Sequence, residues 1–285
     1  MTHFLFDPYR LAFMQRALVE VLLLALVGAV VGVHVLLRRR AFLTEALQHS
    51  VFPGIAVAFV LGQSLMVGAL AAGLLTVLFL TFLARRPGID PDAVMALLIA
   101  GFFALGVVIV SHRAGFQADL TSLLFGRVLD VDARQIVDTA VVAAIAVGAI
   151  AALHKELVLR ALDPVQAAAV GYRVARLDLM LDVVVALVVI VAVRALGTVL
   201  VIAFIVTPPA AARLVIRSVS GMMAVAASLA MVFSWIGLSA SFEASVHHGV
   251  RLAAGATVVV ALTAAFVGIA LVKAGRDAVF ALAHR

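Results

Sequence analysis

The chain reads as a succession of apolar stretches close to 20 residues long, parted by short turns that carry most of its charge. A helix rising 1.5 Å per residue needs about 20 apolar residues to cross a hydrocarbon layer roughly 30 Å thick. The pattern predicts such helices at residues 17–37, 43–61, 66–84, 92–111, 134–153, 177–193, 198–214, 222–237 and 252–272. Nowhere do apolar and polar residues alternate over short segments as they do in outer-membrane barrel strands. The expectation is an all-α polytopic membrane protein with about nine transmembrane helices, a single transmembrane domain over residues 1–285.

One join decides the count. Residues 177–214 form either one long helix or two spans broken at Arg194 to Gly197. With two spans and an external N-terminus, 14 of the 21 Lys and Arg residues fall on the cytoplasmic side. A single helix would invert everything downstream and even out the two sides, losing the excess of cytoplasmic positive charge that orients membrane proteins. Nine spans therefore fit better.

Composition agrees. The chain is 66% hydrophobic and 13% charged, with mean hydropathy +1.24, which leaves no room for a sizeable soluble domain. There are no cysteines, so thiolate metal ligands, Fe–S clusters and disulfides are excluded. The net charge of +6 does not point to nucleic acid, because the basic residues sit in short loops between apolar segments. The first apolar segment ends in Arg38, Arg39 and Arg40, not in a small-residue cleavage site, so it is expected to be a span and not a cleaved signal.

Candidate chemistry concentrates in residues 41–54, AFLTEALQHSVFPG. On a helix Glu45 and His49 lie four apart and share a face, a carboxylate one turn from an imidazole. Pro53 has no N–H to offer the carbonyl of His49, which adds a free oxygen to the same face. A carboxylate, an imidazole and a carbonyl suit Mn²⁺, Fe²⁺ or Zn²⁺. The plainer alternative pairs Glu45 with Arg40 or a neighbouring chain and makes His49 a packing residue. Within a membrane span, where ionisable groups are costly and usually functional, the metal reading gains weight.

Other stretches carry weaker signals. Residues 154–176, HKELVLRALDPVQAAAVGYRVAR, form the longest cytoplasmic loop; Asp163 and Pro164 predict the start of a short helix over 165–170, closed by Gly171. It is either a docking element for a soluble partner or a surface connector. The external loop at 112–133 holds an apolar run, 123–129, too short to cross, which fits a gate segment or plain packing. Asp178 and Asp182 are expected to form interfacial ion pairs with Arg173 and Arg176. Pro208 and Pro209 free the carbonyls of Phe204 and Ile205 among small residues and predict close helix packing or a bend. Beyond residue 237 a loop is expected, with Glu243, His247 and His248 as a second, weaker metal candidate, since exposed His and Glu are usually unliganded. No GxxxxGK[ST], HExxH or GxSxG motif occurs, so the chain is not expected to be an enzyme or to bind ATP through a phosphate loop.

Four motifs in order resemble one family. RRRAFLTEALQHSVFPG, DLTSLLFGRVL, LRALDPVQAAAVGYRV and IAFIVTPPAAARL are similar to the hallmarks of the permease subunit of the zinc/manganese/iron ABC importers, itself similar to the vitamin B12 and siderophore importer permeases. The resemblance implies a type II importer-like permease in a bacterial plasma (inner) membrane, working as a homodimer. It also implies two copies of an ATPase subunit docked at 154–176, an extracytoplasmic metal-binding protein, no permanently bound cofactor, and ATP hydrolysis on the partner chain. The family's Asp and His transit ligands fall on Glu45 and His49. Thr44 and Glu45 stand where the family has Gly and Asp, and Gln48 where it has Ser, so the carboxylate reaches one methylene further. An oxygen-biased, thiolate-free ligand set favours Mn(II) as cargo, with Zn(II) or Fe(II) as alternatives.

Two other classes compete. A stand-alone proton-coupled transporter would use Glu45 and His49 as a proton relay and would show an inverted repeat, which the sequence lacks. A non-transporting scaffold would show no metal-dependent behaviour.

Overall fold

The computed structural model describes residues 5–83, 90–111, 126, 128–247, 249–250 and 252–283. Among them the helices are α1 (Ala12–Leu37), α2 (Ala41–Val60), α3 (Leu65–Leu83), α4 (Pro91–Ser111), α5 (Ala133–Ala152), α6 (His154–Leu162), α7 (Pro164–Ala169), α8 (Val174–Leu196), α9 (Thr198–Val215), α10 (Val219–His247) and α11 (Ala254–Ala283). Eight are long and apolar enough to cross a membrane; α9 is a shorter apolar helix. The nine expected spans correspond to α1 to α5 and α8 to α11. The expected gate segment lies outside the described residues except for Gly126 and Val128 onward.

Helices α1, α2 and α8 are the most enclosed. The middle of α8, Val184 to Val193, is apolar all round and almost wholly buried, as an encircled helix must be. Around this core α1 packs on α5, α9 and α10, α2 packs on α3 and α4, and α11 packs on α9 and α10. Most of α3, α4, α5, α10 and α11 faces outward, and their exposed Leu, Val and Phe side chains suit lipid contact.

Close approach is bought with small residues. A Cβ on Gly32 of α1 would overlap the carbonyl of Ile205 in α9, the carbonyl left free by Pro209. Gly54 of α2 and Gly68 of α3 lie against each other's backbone so tightly that neither tolerates a Cβ. The prolines do not interrupt α9, which runs continuously through Pro208 and Pro209. Between α8 and α9 the chain breaks at Gly197, in a conformation with φ +76° that side chains rarely adopt. The two-span reading of 177–214 is thus the observed one.

Three expectations are corrected. The region beyond residue 237 is not a loop: α10 continues through Glu243 to His247, 29 residues in all, because Ala, Ser and Phe there extend the helix beyond the apolar core. The connector after α5 holds two helices, not one, since His154–Leu162 is itself helical. And Asp178 and Asp182 pair not with Arg173 and Arg176 but with Arg38, Arg160 and Arg40, because they point from the start of α8 into the protein. The expected short helix is present at Pro164–Ala169; Asp163 caps it, accepting from the backbone N–H of Val165 and of Gln166 at 2.9 Å each.

Candidate metal site

A three-residue turn, Arg38 to Arg40, leads from α1 into α2. The N–H of Arg39 donates to the carbonyl of Leu36 and that of Arg40 to Val35, both at 3.0 Å, which makes a Schellman closure of α1. Arg39 occupies the left-handed position, at φ +56°, where glycine is usual. Helix α2 then starts at Ala41, and the Thr44 hydroxyl turns back to donate to the Ala41 carbonyl at 2.6 Å.

Most of α2 is buried, but Ala41, Glu45 and His49, spaced by four, form a half-exposed strip. On it His49 Nε2 lies 3.0 Å from Glu45 Oε1, with 25% and 31% of the two side chains exposed. The helical spacing brings the predicted pair together. Glu45 is not paired with Arg40, whose guanidinium donates to Asp182 instead.

Aromatic packing holds the imidazole. The His49 ring meets Phe103 of α4 edge to face, centroids 5.8 Å apart, and Phe103 in turn stacks at 5.6 Å on Phe52, one turn beyond the imidazole on α2. Phe52 packs against Gly106, where a Cβ would overlap the ring. Pro53, buried in the same helix, offers no N–H to the His49 carbonyl. A nitrogen and a carboxylate oxygen thus share a partly exposed face of α2, with a carbonyl freed by Pro53 in the same stretch and the imidazole backed by Phe103.

The second candidate pair is also formed. His247 Nδ1 lies 3.2 Å from Glu243 Oε2 near the end of α10, on a more exposed surface; His248 lies outside the described residues. Among the described residues no three His, Asp or Glu side chains come together as a ready metal site. Each pair stands alone within one chain.

The sequence reading passed over two buried ionisable residues of α1. Glu20 is fully buried; Thr139 of α5 donates to its Oε1 at 2.6 Å, and its Oε2 meets no hydrogen-bond geometry among the described residues. His34 is fully buried, with neither ring nitrogen hydrogen-bonded among the described residues, and its ring meets that of His154 edge to face at 6.3 Å. The signal was available, since each is an ionisable residue inside an apolar span.

Comparison with known proteins agrees with this architecture. The profile described as the ABC 3 transport family matches residues 10–273. The manganese transport system membrane protein MntC of Listeria monocytogenes is 31% identical over 248 residues, 87% of this chain and 88% of that protein. A probable iron transport system membrane protein of Haemophilus influenzae is 30% identical over 264 residues, 92% of this chain and 97% of that protein. Among solved structures, PsaBC from Streptococcus pneumoniae in complex with Fab superposes with a TM-score of 0.82 at 28% identity, covering 94% of each chain. With eight helices able to cross a membrane and this likeness along nearly its whole length, the chain is a multi-pass plasma-membrane protein and belongs to the ABC 3 transport family.

Proposed function

We propose that the chain is the permease subunit of an ABC importer for divalent transition metal ions, Mn(II) foremost, and that Glu45 and His49 hold the ion in transit. The observation that carries this reading is the His49 to Glu45 contact of 3.0 Å on a partly exposed face of α2. At that separation the two groups share a hydrogen bond, which a bound divalent ion would replace; an oxygen-biased ligand set without thiolate favours Mn(II). The manganese named in the Listeria relative supports the same cargo.

A pair of side chains binds weakly, which transport requires, because an ion held by a full cage would not leave. A second copy of the chain, set with its strip facing the first, would double the donor set to two carboxylates and two imidazoles. In this reading the pathway runs along a homodimer axis, an extracytoplasmic metal-binding protein delivers the ion from outside, and two copies of a separate ATPase dock on α6 and α7. The capped, outward-lying α7 suits such docking: Pro164, Val165 and Gln166 are all exposed.

A second reading, iron as cargo, is favoured by the Haemophilus relative. Uptake of labelled Mn²⁺ into vesicles carrying the chain with its ATPase and binding protein, in competition with Fe²⁺ and Zn²⁺, separates the two. Mn²⁺ uptake that needs ATP and is little displaced by equimolar Fe²⁺ or Zn²⁺ is expected, whereas Fe²⁺ that displaces Mn²⁺ below equimolar concentration would favour iron. Uptake that persists without the ATPase would overturn the ABC reading and restore the proton-coupled one.

A further inference from the structure

Five charged side chains, Arg38, Arg40, Arg160, Asp178 and Asp182, gather where the α1–α2 turn, the start of α8 and the connector helix α6 meet. Asp178 uses both carboxylate oxygens: Arg38 Nη1 donates to Oδ1 at 2.7 Å and Arg160 Nη2 donates to Oδ2 at 2.9 Å. One turn along α8, Asp182 Oδ2 accepts from Arg40 Nη1 at 2.5 Å. The Arg38 side chain is 2% exposed and that of Asp182 4%. Burial, assisted by Arg160, pushes the Arg38 guanidinium down to about 10 while Asp178 pulls the other way, so Arg38 stays charged.

Buried ion pairs are a poor way to gain stability, because desolvation offsets their attraction. Here the network is also incomplete. Arg38 Nε and Nη2, Arg160 Nε and Asp182 Oδ1 are buried without a hydrogen-bond partner among the described residues. These atoms bond to no described protein group, so the charges keep capacity for further hydrogen bonds. There is room for them: a cavity of about 520 Å³ adjoins the cluster, and Arg39 and Asp92 on its wall form no ion pair among the described residues. They are alternative partners for the same charges.

The bridge joins two parts of the molecule that the proposed function needs to act together. Arg160 belongs to α6, the connector that would receive the ATPase. Arg38 and Arg40 flank the turn that starts α2, and Glu45 stands five residues, about 7.5 Å along the helix axis, beyond Arg40. We propose that Asp178 is a positioning residue that clasps Arg160 on one side and Arg38 on the other, so that displacement of α6 moves the α1–α2 turn and with it the metal pair on α2. Asp182 and Arg40 form the second strand of the same link. This inference rests on the docking of an ATPase at α6 and α7.

The test uses the complete importer in proteoliposomes, with ATP hydrolysis and Mn²⁺ uptake measured on one preparation and the bound ATPase quantified. In Asp178→Asn and Arg160→Gln the ATPase remains bound and hydrolysis stays within twofold of wild type, while ions carried per ATP fall tenfold or more; Asp178→Glu recovers most of the ratio. Arg160→Gln leaves Asp178 paired with Arg38, and so keeps the test open if Asp178→Asn does not fold. An unchanged ratio, or hydrolysis and uptake falling together in proportion to assembled complex, would overturn the link. If no ATPase binds the wild-type chain, the docking reading itself fails and the link falls with it.

Discussion

At the scale of single residues, the account turns on how far the Glu45 carboxylate reaches. Its Oε1 meets His49 Nε2 at 3.0 Å, a hydrogen bond that the proposed shared ion would replace. Glu45→Asp keeps the charge and withdraws it by one methylene. The expected result is a Mn²⁺ KM raised about tenfold, the lower end of what loss of ligand geometry costs, with assembly unchanged; an unaltered KM would remove Glu45 from the ligand set. Arg39 offers a test that does not touch the metal. A non-glycine residue in the left-handed region costs on the order of 1–3 kcal/mol, so Arg39→Gly is expected to raise the thermal midpoint of the purified chain, and a lower midpoint would show that Arg39 makes contacts that outweigh the strain. The pair Glu45 and His49 was legible in the sequence because spacing of four on a helix is enough to bring two side chains together. The partners of Asp178 and Asp182 were not, because Arg38 and Arg40 lie some 140 residues away and Arg160 sits in a helix the sequence did not mark, and only the packing of α8 against the α1–α2 turn and α6 selects them over nearby Arg173 and Arg176.

At the scale of elements, apolar length alone marks where the helices lie, since each span must satisfy its own backbone hydrogen bonds in lipid. Their ends are less legible. Helix α10 runs on to His247 and α11 to Ala283 because nothing in those stretches breaks a helix, although neither is apolar throughout. The short α6 escaped for the opposite reason, as nine residues with Lys155, Glu156 and Arg160 look like a polar loop until folded onto Leu157. Glycine explains which helices touch. Gly32→Leu, forced against the Ile205 carbonyl, is expected to cost about 3 kcal/mol or more and to be seen as loss of monodisperse protein, whereas Gly268→Ala, with open space around it, should be neutral. Equal behaviour of the two would contradict the α1–α9 contact. Removing the α7 cap with Asp163→Ala should cost about 1 kcal/mol locally and weaken ATPase binding without altering the membrane-embedded fold; unchanged binding would argue that α7 is only a connector.

At the scale of the whole molecule, a chain enclosed around α1, α2 and α8 carries Glu45 and His49 on one of its three most enclosed helices, yet leaves both side chains partly exposed. The opening fits the proposed transit site, to which a second copy would add its own pair, and among the described residues of one chain no three-ligand cluster forms. The measurement that tests this most directly is ATP-dependent Mn²⁺ uptake by the assembled importer, comparing wild type with Glu45→Ala and His49→Ala. Loss of uptake in both variants, with assembly and ATP hydrolysis retained, is the predicted result. Uptake at the wild-type rate in either would show that the ion crosses elsewhere and that the pair serves only to pack α2.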